Sequence, residues 1–375
     1  MKILLTGGGT GGHFYPLIAV AEEINKIVDK EHILEAKIYY MAPEPYDKNA
    51  LFEQGIIFEQ ISAGKLRRYF SIQNFFDLFK TFFGCLSAMF KIYSIFPDVI
   101  FAKGGYVSFP ALLAARLFRI PVIIHESDSV PGKVNLWAAK FAKKIAVSYE
   151  EAGQYFPAKK TAWLGQPVRK ELQKVSKEGA FEYLKLDPTI PVIFIVGGSQ
   201  GSELINDIVI EALPNLISKY QIIHQVGKKN FDEIVIRTDV SLQDNEFKNR
   251  YNVFPFLNPL AIKMAAGAST LIVTRAGSMI FEIALWGVPA IVIPITDSNG
   301  DHQRKNAFNY ARAGAGVVIE ENNLTPTILE TEIDVIVKDK NKLKTMREKA
   351  LEFSRPDAAE KIAGELVAIA MSHEE

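Results

Sequence analysis

Ile3-Leu4-Leu5-Thr6-Gly7-Gly8-Gly9-Thr10-Gly11-Gly12-His13 stands almost at the start of the chain, and its reading decides the fold. A short apolar run enters a glycine cluster, and a helical periodicity sets in near Pro16. Strand, tight turn and helix in that order form the first unit of a parallel α/β sheet. Glycines let the backbone approach a phosphate closely, and the helix N-terminus adds aligned N–H groups and partial positive charge. A diphosphate is the ligand such a turn suits. Gly7, Gly9 and Gly12 satisfy G-x-G-x-x-G, but the acidic residue that a dinucleotide site needs about twenty positions later is missing, since Glu44 lies too far on. A nicotinamide dehydrogenase is therefore disfavoured. A Walker-type phosphate loop is excluded as well, because His13 stands where Lys followed by Ser or Thr is required.

Working outward, strand-like runs alternate with helical segments along most of the chain. Ile3–Thr6, Ala36–Met41, Val99–Ala102, Val122–His125 and Lys144–Val147 read as strands in the first half. Val192–Val196, Ile222–Gln225, Asn252–Phe254, Thr270–Val273 and Ala290–Ile293 do so in the second. About five strands per half suffice for two Rossmann-like, doubly wound parallel-sheet domains facing a cleft. The 375 residues fit two domains of ordinary size. Leu164-Gly165-Gln166-Pro167-Val168 breaks the pattern, so the expected division is 1–165 and 166–354. A second break at Ser354-Arg355-Pro356-Asp357 sets off residues 355–375, whose amphipathic helix is expected to pack back on the first domain.

Further glycine turns recur. Val196-Gly197-Gly198-Ser199-Gln200-Gly201-Ser202 follows a strand and opens a helix, offering the Ser199 hydroxyl and nearby N–H groups to phosphate oxygens. Lys103-Gly104-Gly105-Tyr106 closes another strand, with a helix expected beyond Pro110, where close approach of a substrate and plain turn chemistry are both open readings. Late in the chain come Thr274-Arg275-Ala276-Gly277-Ser278, then Glu282, then Asp301-His302-Gln303-Arg304-Lys305-Asn306-Ala307. Glu282 lies one helical turn beyond Ser278, where its carboxylate suits the paired hydroxyls of a ribose.

Composition narrows the class. Hydrophobic residues make up 48% and charged ones 23%, which excludes a disordered chain. Lys+Arg and Asp+Glu are both 43, so the whole molecule is no generic binder of nucleic acid. Divided after Val168, however, the halves carry 19 basic against 15 acidic and 24 against 28 residues. The stretch from Lys65 to Lys91, with five cations against Asp77 alone, accounts for the whole N-terminal surplus. Phe75, Phe79, Phe82, Phe83, Leu86 and Phe90 recur there at helical spacing, bordered by Lys80 among other cations. A core-facing stripe and a patch for an anionic membrane surface both fit, and a membrane patch is expected beside some core packing. One cysteine, Cys85, excludes a disulfide framework and any Cys-based zinc site. With no apolar signal region at the start, a cytoplasmic location is expected.

The run Gly8–His13, Gly104-Gly105-Tyr106-Val107-Ser108, Gly197–Gly201, Glu282 with its flanks and Asp301-His302-Gln303 through Asn306-Ala307 resemble one family across nearly the whole chain. It is the bacterial peptidoglycan glycosyltransferase family that makes lipid II. The resemblance implies the two-domain GT-B fold and inverting transfer of N-acetylglucosamine from UDP-N-acetylglucosamine to undecaprenyl-diphosphate-linked MurNAc-pentapeptide (lipid I). It implies no cofactor and no metal in the site, and attachment to the inner face of the cell membrane. The C-terminal domain would hold the donor and the N-terminal domain the lipid. Ser199 and Arg169 would contact the donor diphosphate and sugar, Glu282 the ribose, and Gln303 the sugar hydroxyls. Thr10, Gly11 and Gly12 would line the junction of donor and acceptor, and the backbone at Leu257 would meet the uracil. Asp128 would stand near the donor sugar, in a His125-Glu126-Ser127-Asp128 stretch where the family commonly has Gln and Asn in the last two places. Asn135 matches the pattern, as do Gly104, Gly105 and Tyr106 on the acceptor or cleft side.

Inverting transfer needs a base for the attacking hydroxyl. His13, an imidazole at the tip of the first glycine turn, is the first candidate, and Glu126, at the end of a strand, the second. Two alternatives stand beside the transferase: a UDP-N-acetylglucosamine 2-epimerase, which shares the architecture and donor but needs no lipid, and a non-catalytic nucleotide-sugar binder.

Overall fold

The computed structural model describes residues 1–64, 72–296 and 299–372, and only the backbone of 72–76, 78 and 299. Its chain divides into two compact units, Met1–Arg169 with Arg355–Glu375, and Lys170–Ser354.

The first unit holds seven parallel strands: β1 (Lys2–Thr6), β2 (Lys37–Ala42), β3 (Ile57–Gln60), β4 (Val99–Ala102), β5 (Val122–Glu126), β6 (Lys144–Val147) and β7 (Thr161–Trp163). Their order is β3-β2-β1-β4-β5-β6-β7. Every residue of β4 and β5 is buried, as expected of central strands covered by helices on both faces. Thr6 lies beside Ala102 in register, so the glycine turn after β1 and the Lys103–Gly105 turn after β4 adjoin at the point where the strand order reverses. The second unit repeats the design with β8 (Val192–Val196), β9 (Gln221–Gln225), β10 (Tyr251–Phe254), β11 (Leu271–Thr274), β12 (Ala290–Val292) and β13 (Gly316–Val318), in the order β10-β9-β8-β11-β12-β13. Its reversal lies between β8 and β11, with Val196 beside Thr274. Both sheets are doubly wound and parallel, with ligand crevices expected at the carboxyl ends of their strands.

Three strands escape the hydrophobic pattern. β3, β7 and β13 lie at sheet edges, and none of their residues is fully buried. An edge strand has one neighbour, so its sequence needs no continuous apolar run. Two helix starts also differ from expectation. The helices Gly11–Lys30 and Gly105–Phe118 begin at the glycines and carry Pro16 and Pro110 inside them, rather than starting at the prolines. Proline lacks an N–H, so the carbonyl four residues before it loses its helical partner. Gly12 is that residue for Pro16, and its carbonyl instead accepts from the Gln166 Nε2 at 3.1 Å.

The final helix, Ala358–Met371, packs on Gly11–Lys30. Ile362, Leu366 and Ala370 share one core with Leu17, Val20 and Ile24. The chain re-enters this unit at Arg355, whose guanidinium lies 4.0 Å over the Trp163 ring.

Candidate functional site

In the first unit the glycine turn leads directly into the helix Gly11–Lys30, which has no acidic residue in its first turn, so the positive end of its dipole is uncompensated. Thr10 is exposed and its hydroxyl does not cap the helix. His13 sits in the first turn with its ring close to Gly105: a Cβ added there would lie 3.6 Å from the imidazole Nδ1. The Tyr106 ring stands against Gly9 in the same way, 3.6 Å from an added Cβ to the hydroxyl. Gly104 is obligatory. Its φ is +77°, and a Cβ would come within 2.6 Å of the Asn135 amide. Arg169, at the end of the unit, stacks 4.1 Å over Tyr15.

Glu126 ends β5 almost wholly buried, and its carboxylate accepts from three donors. Oε1 takes the Asp128 N–H at 3.0 Å; Oε2 takes the Gly132 N–H at 3.1 Å and the Asn135 Nδ2 at 2.8 Å. Those bonds fold the segment from Ser127 to Gly132 around the carboxylate. Burial pushes the Glu126 pKa up, as does the Asp128 charge, while the N–H donors hold it down. The Ser127 hydroxyl in the loop and the Asn135 amide oxygen on the helix Lys133–Ala138 that follows it are buried with no hydrogen-bond partner among the described residues. Such groups favour a polar ligand.

Beneath the glycine turn lies a lysine that the sequence reading passed over. Lys103 is 1% exposed. Its Nζ lies 2.6 Å from His125 Nδ1 and 3.0 Å from Gln166 Oε1. His125 Nε2 lies 2.9 Å from the Gly165 carbonyl, so that nitrogen carries the proton and Nδ1 accepts from the lysine. Burial and the neighbouring ammonium drive the His125 pKa well below its ordinary value. The Ser148 hydroxyl also donates to Gln166 Oε1, at 3.0 Å.

In the second unit the turn after β8 leaves Ser199 exposed at its tip. Gly201, at φ +77°, passes so close to the Val226 carbonyl that no side chain fits. Gln225, at the end of β9, ties this turn to the segment after β10: its Nε2 donates to the Gly198 carbonyl at 3.1 Å and its Oε1 accepts from the Leu257 N–H at 2.9 Å. Arg275 bridges the strand-order reversal. It donates to Ser202 Oγ at 2.6 Å and to the Ile293 carbonyl at 3.1 Å, and pairs with Glu321 at 2.7 Å. Glu321 in turn accepts from the Thr296 N–H at 2.7 Å. Glu282 lies in the first turn of the helix Met279–Trp286, half-buried. Gln303 Oε1 accepts from the Ile295 N–H at 3.2 Å, and Asn306 donates to the Ala276 carbonyl at 3.3 Å. Ser199, Leu257 and the Thr274–Ser278 turn thus gather at the carboxyl end of one sheet, as Thr10–His13, Gly104–Tyr106 and Glu126–Asn135 do at the other. Gln225 and Lys103 were missed because a polar residue at the end of a strand carries no local sign of which way it is buried.

The phenylalanine stripe lies on the helix Ile72–Ile95. Phe79, Lys80, Phe82, Phe83, Leu86 and Phe90 are exposed, while Gly84, Cys85, Ala88 and Ile92 turn inward. Small residues face the packing side because the neighbouring chain comes close: a Cβ on Gly84 would collide with the Ser62 carbonyl. Exposed Leu117 and Arg116 lie on the helix packed against it, Gly105–Phe118, and exposed Arg119 caps its C-terminus. Lys91 leaves the basic surplus, since Glu59 pairs with it at 2.5 Å. Lys65, Arg67, Arg68 and Phe70 lie outside the described residues, as does the side chain of Phe75. Among the described residues no helix is long and apolar enough to cross a membrane, and no group of three His, Cys, Asp or Glu could hold a metal ion.

Two family descriptions match: the glycosyltransferase family 28 N-terminal domain over residues 3–147 and its C-terminal domain over residues 192–362. The chain belongs to glycosyltransferase family 28. Within that family it is 40% identical over 346 residues to the UDP-N-acetylglucosamine–N-acetylmuramyl-(pentapeptide) pyrophosphoryl-undecaprenol N-acetylglucosamine transferase of Clostridium novyi, covering 91% of this chain and 92% of that protein. MurG of Acinetobacter baumannii is a structural match with a TM-score of 0.73 and 26% identity, covering 98% and 99% of the two chains. A UDP-N-acetylglucosamine 2-epimerase of Neisseria meningitidis matches at a TM-score of 0.65 and 17% identity, over 98% of this chain and 100% of that one, which is a likeness of fold alone. This family 28 member is thus a hexosyltransferase of GT-B architecture, and the epimerase reading retains only the fold.

Proposed function

We propose that the protein transfers N-acetylglucosamine from UDP-N-acetylglucosamine to the muramyl 4-hydroxyl of undecaprenyl-diphosphate-linked MurNAc-pentapeptide, converting lipid I to lipid II. Identity of 40% to a transferase of that name over nine-tenths of the chain is the observation that carries this reading. The second unit takes the donor, with Ser199 on the diphosphate, the Leu257 backbone at the uracil, Glu282 on the ribose and Gln303 on the sugar. Arg169 joins in holding the diphosphate. The first unit takes the acceptor along Thr10–His13, Gly104–Tyr106 and the loop from Ser127 to Asn135, with Asp128 toward the sugar. The acceptor oxygen attacks the anomeric carbon as the bond to the diphosphate breaks, so configuration inverts and UDP leaves. His13 receives the hydroxyl proton. Its position in the first turn of a helix beside Gly105 supports that role, whereas the three donors on Glu126 support a role for that carboxylate in holding the loop. Negative charge on the leaving diphosphate is met by the Ser199 turn, Arg169 and helix N-termini, without a metal ion. The helix Ile72–Ile95 docks on the inner face of the membrane, inserting Phe79, Phe82 and neighbouring phenylalanines among anionic headgroups that Lys80 and adjacent cations attract. The carrier of the acceptor lies in that bilayer.

Incubation with radiolabelled UDP-N-acetylglucosamine and a lipid I analogue tests the assignment. Label in the lipid, undiminished by EDTA, is expected. Release of N-acetylmannosamine, or no turnover of either substrate, would overturn it.

A further inference from the structure

One guanidinium in the second unit ties together the carboxyl ends of β8, β11, β12 and β13, which lie side by side in that order. Arg275 follows β11 directly, and its Nη2 donates to the Ser202 hydroxyl, beyond β8, at 2.6 Å. Its Nη1 donates to the Ile293 carbonyl, at the end of β12, at 3.1 Å, and meets Glu321 Oε1, beyond β13, at 2.7 Å. The planar fork of an arginine holds several acceptors in fixed directions, as the single ammonium of a lysine does not. The two charged side chains are 11% and 16% exposed, so salt and water screen the pair little.

Glu321 has a second partner. Its Oε2 accepts from the Thr296 N–H at 2.7 Å, and the N–H of the preceding residue, Ile295, donates to Gln303 Oε1 at 3.2 Å. Gln303 is the side chain assigned above to the donor sugar. Ser202, at the other end of the tie, closes the Ser199 turn assigned to the diphosphate and caps the helix Glu203–Lys219. The carboxylate is thus linked directly to the sugar side, and to the diphosphate side only through Arg275. Burial raises the Glu321 pKa, but the Thr296 N–H and Arg275 outweigh it and hold the carboxyl below its ordinary value.

We infer that Glu321 is a positioning residue for the donor sugar: it holds the Ile295–Thr296 segment to which Gln303 is bonded, while Arg275 joins that segment to the diphosphate turn. This inference rests on the proposed placing of the donor in the second unit.

Calorimetric titration with UDP, UDP-N-acetylglucosamine and UDP-N-acetylgalactosamine tests it without an acceptor. The two sugar nucleotides differ only in the orientation of one sugar hydroxyl, so the ratio of their affinities reads how well the sugar contacts are placed. In Glu321→Gln the amide keeps one acceptor oxygen and turns a donor toward the other N–H, so the two bonds cannot both survive. The preference for UDP-N-acetylglucosamine is expected to shrink about tenfold, the scale of one hydrogen bond. UDP affinity should stay within about threefold, because Arg275 still reaches Ser202 and Ile293. Arg275→Met releases the Ser199 turn as well and should weaken UDP itself about tenfold. Glu321→Asp, which keeps the charge but is too short to meet both partners, should show the same loss of preference and carries the comparison if the Gln variant does not fold. A merely structural role would lower the melting temperature and leave the affinity ratio unmoved. An unchanged preference in Glu321→Gln and Glu321→Asp, or a loss of UDP affinity in Glu321→Gln as large as the loss of preference, would overturn the inference. Failure of the unaltered protein to bind UDP-N-acetylglucosamine would instead overturn the donor assignment on which it rests.

Discussion

At the scale of single residues, His13 has the clearest expected effect. A base positioned in the transition state contributes roughly 10²- to 10⁴-fold. His13→Ala should lower kcat by that order while leaving donor affinity, read by calorimetry with UDP, within about threefold; near-full turnover would remove His13 from the chemistry. A second histidine shows how burial writes itself into pH dependence. His224 lies wholly buried between Asn206 Oδ1 at 3.1 Å and the Tyr251 hydroxyl at 3.0 Å, and burial drives its pKa to about 3. Unfolding returns it toward 6.5, so below that pH the unfolded chain binds a proton that the native chain refuses. Its stabilisation is complete above 6.5 and is lost as pH falls toward 3. His224→Gln should therefore flatten the decline of the second unit's melting temperature between pH 6.5 and 4, measured by calorimetry. Neither residue type told its own story in the sequence: His13 was legible because it ends a glycine turn, whereas His224 lies in a buried strand, Gln221–Gln225, whose polar residues only tertiary contacts explain.

At the scale of elements, the helix Ile72–Ile95 separates spacing from orientation. Periodicity alone identified one apolar side, but an apolar side normally faces the core. Here the inward side is built of Gly84, Cys85, Ala88 and Ile92, and Phe82, Phe83 and Phe90 are 58%, 61% and 77% exposed. Burying those rings in a lipid surface would contribute about 1.5–3 kcal/mol for each one fully buried. Phe79→Glu/Phe82→Glu should abolish sedimentation with anionic vesicles and leave transfer to a water-soluble acceptor analogue within about twofold. Unchanged sedimentation would refute the membrane role. The glycine turns stand at the other extreme. Their strand, turn and helix are contiguous in sequence, so local chemistry sufficed to find them, although the prolines inside both N-terminal helices obscured where the helices begin.

At the scale of the molecule, the chain leaves its first unit at Arg169 and returns at Arg355, so the last helix belongs to the domain made first. Leu366 is fully buried in the core shared with Leu17 and Ile24. Leu366→Ala should cost about 2–5 kcal/mol, the usual range for such a truncation, and lower the unfolding transition of the first unit while leaving that of Lys170–Ser354 unmoved. A single shared shift of both transitions would show that the units do not unfold independently.

What the sequence determined by itself is whatever depends on neighbours in the chain: the strand, glycine turn and helix units, the two parallel sheets they build, and the family they mark. Tertiary structure alone decided the edge strands, the outward turn of the phenylalanines, the burial of Lys103 and the bonds that make Glu126 a loop anchor. The first three depend on residues distant in sequence, while the Glu126 bonds reach residues two to nine positions on and need the folded shape of that loop. Lys103 meets Gln166 only because parallel strands β4 to β7 bring their carboxyl ends together, and no local pattern carries the cost of burying a charge or the identity of the group that offsets it.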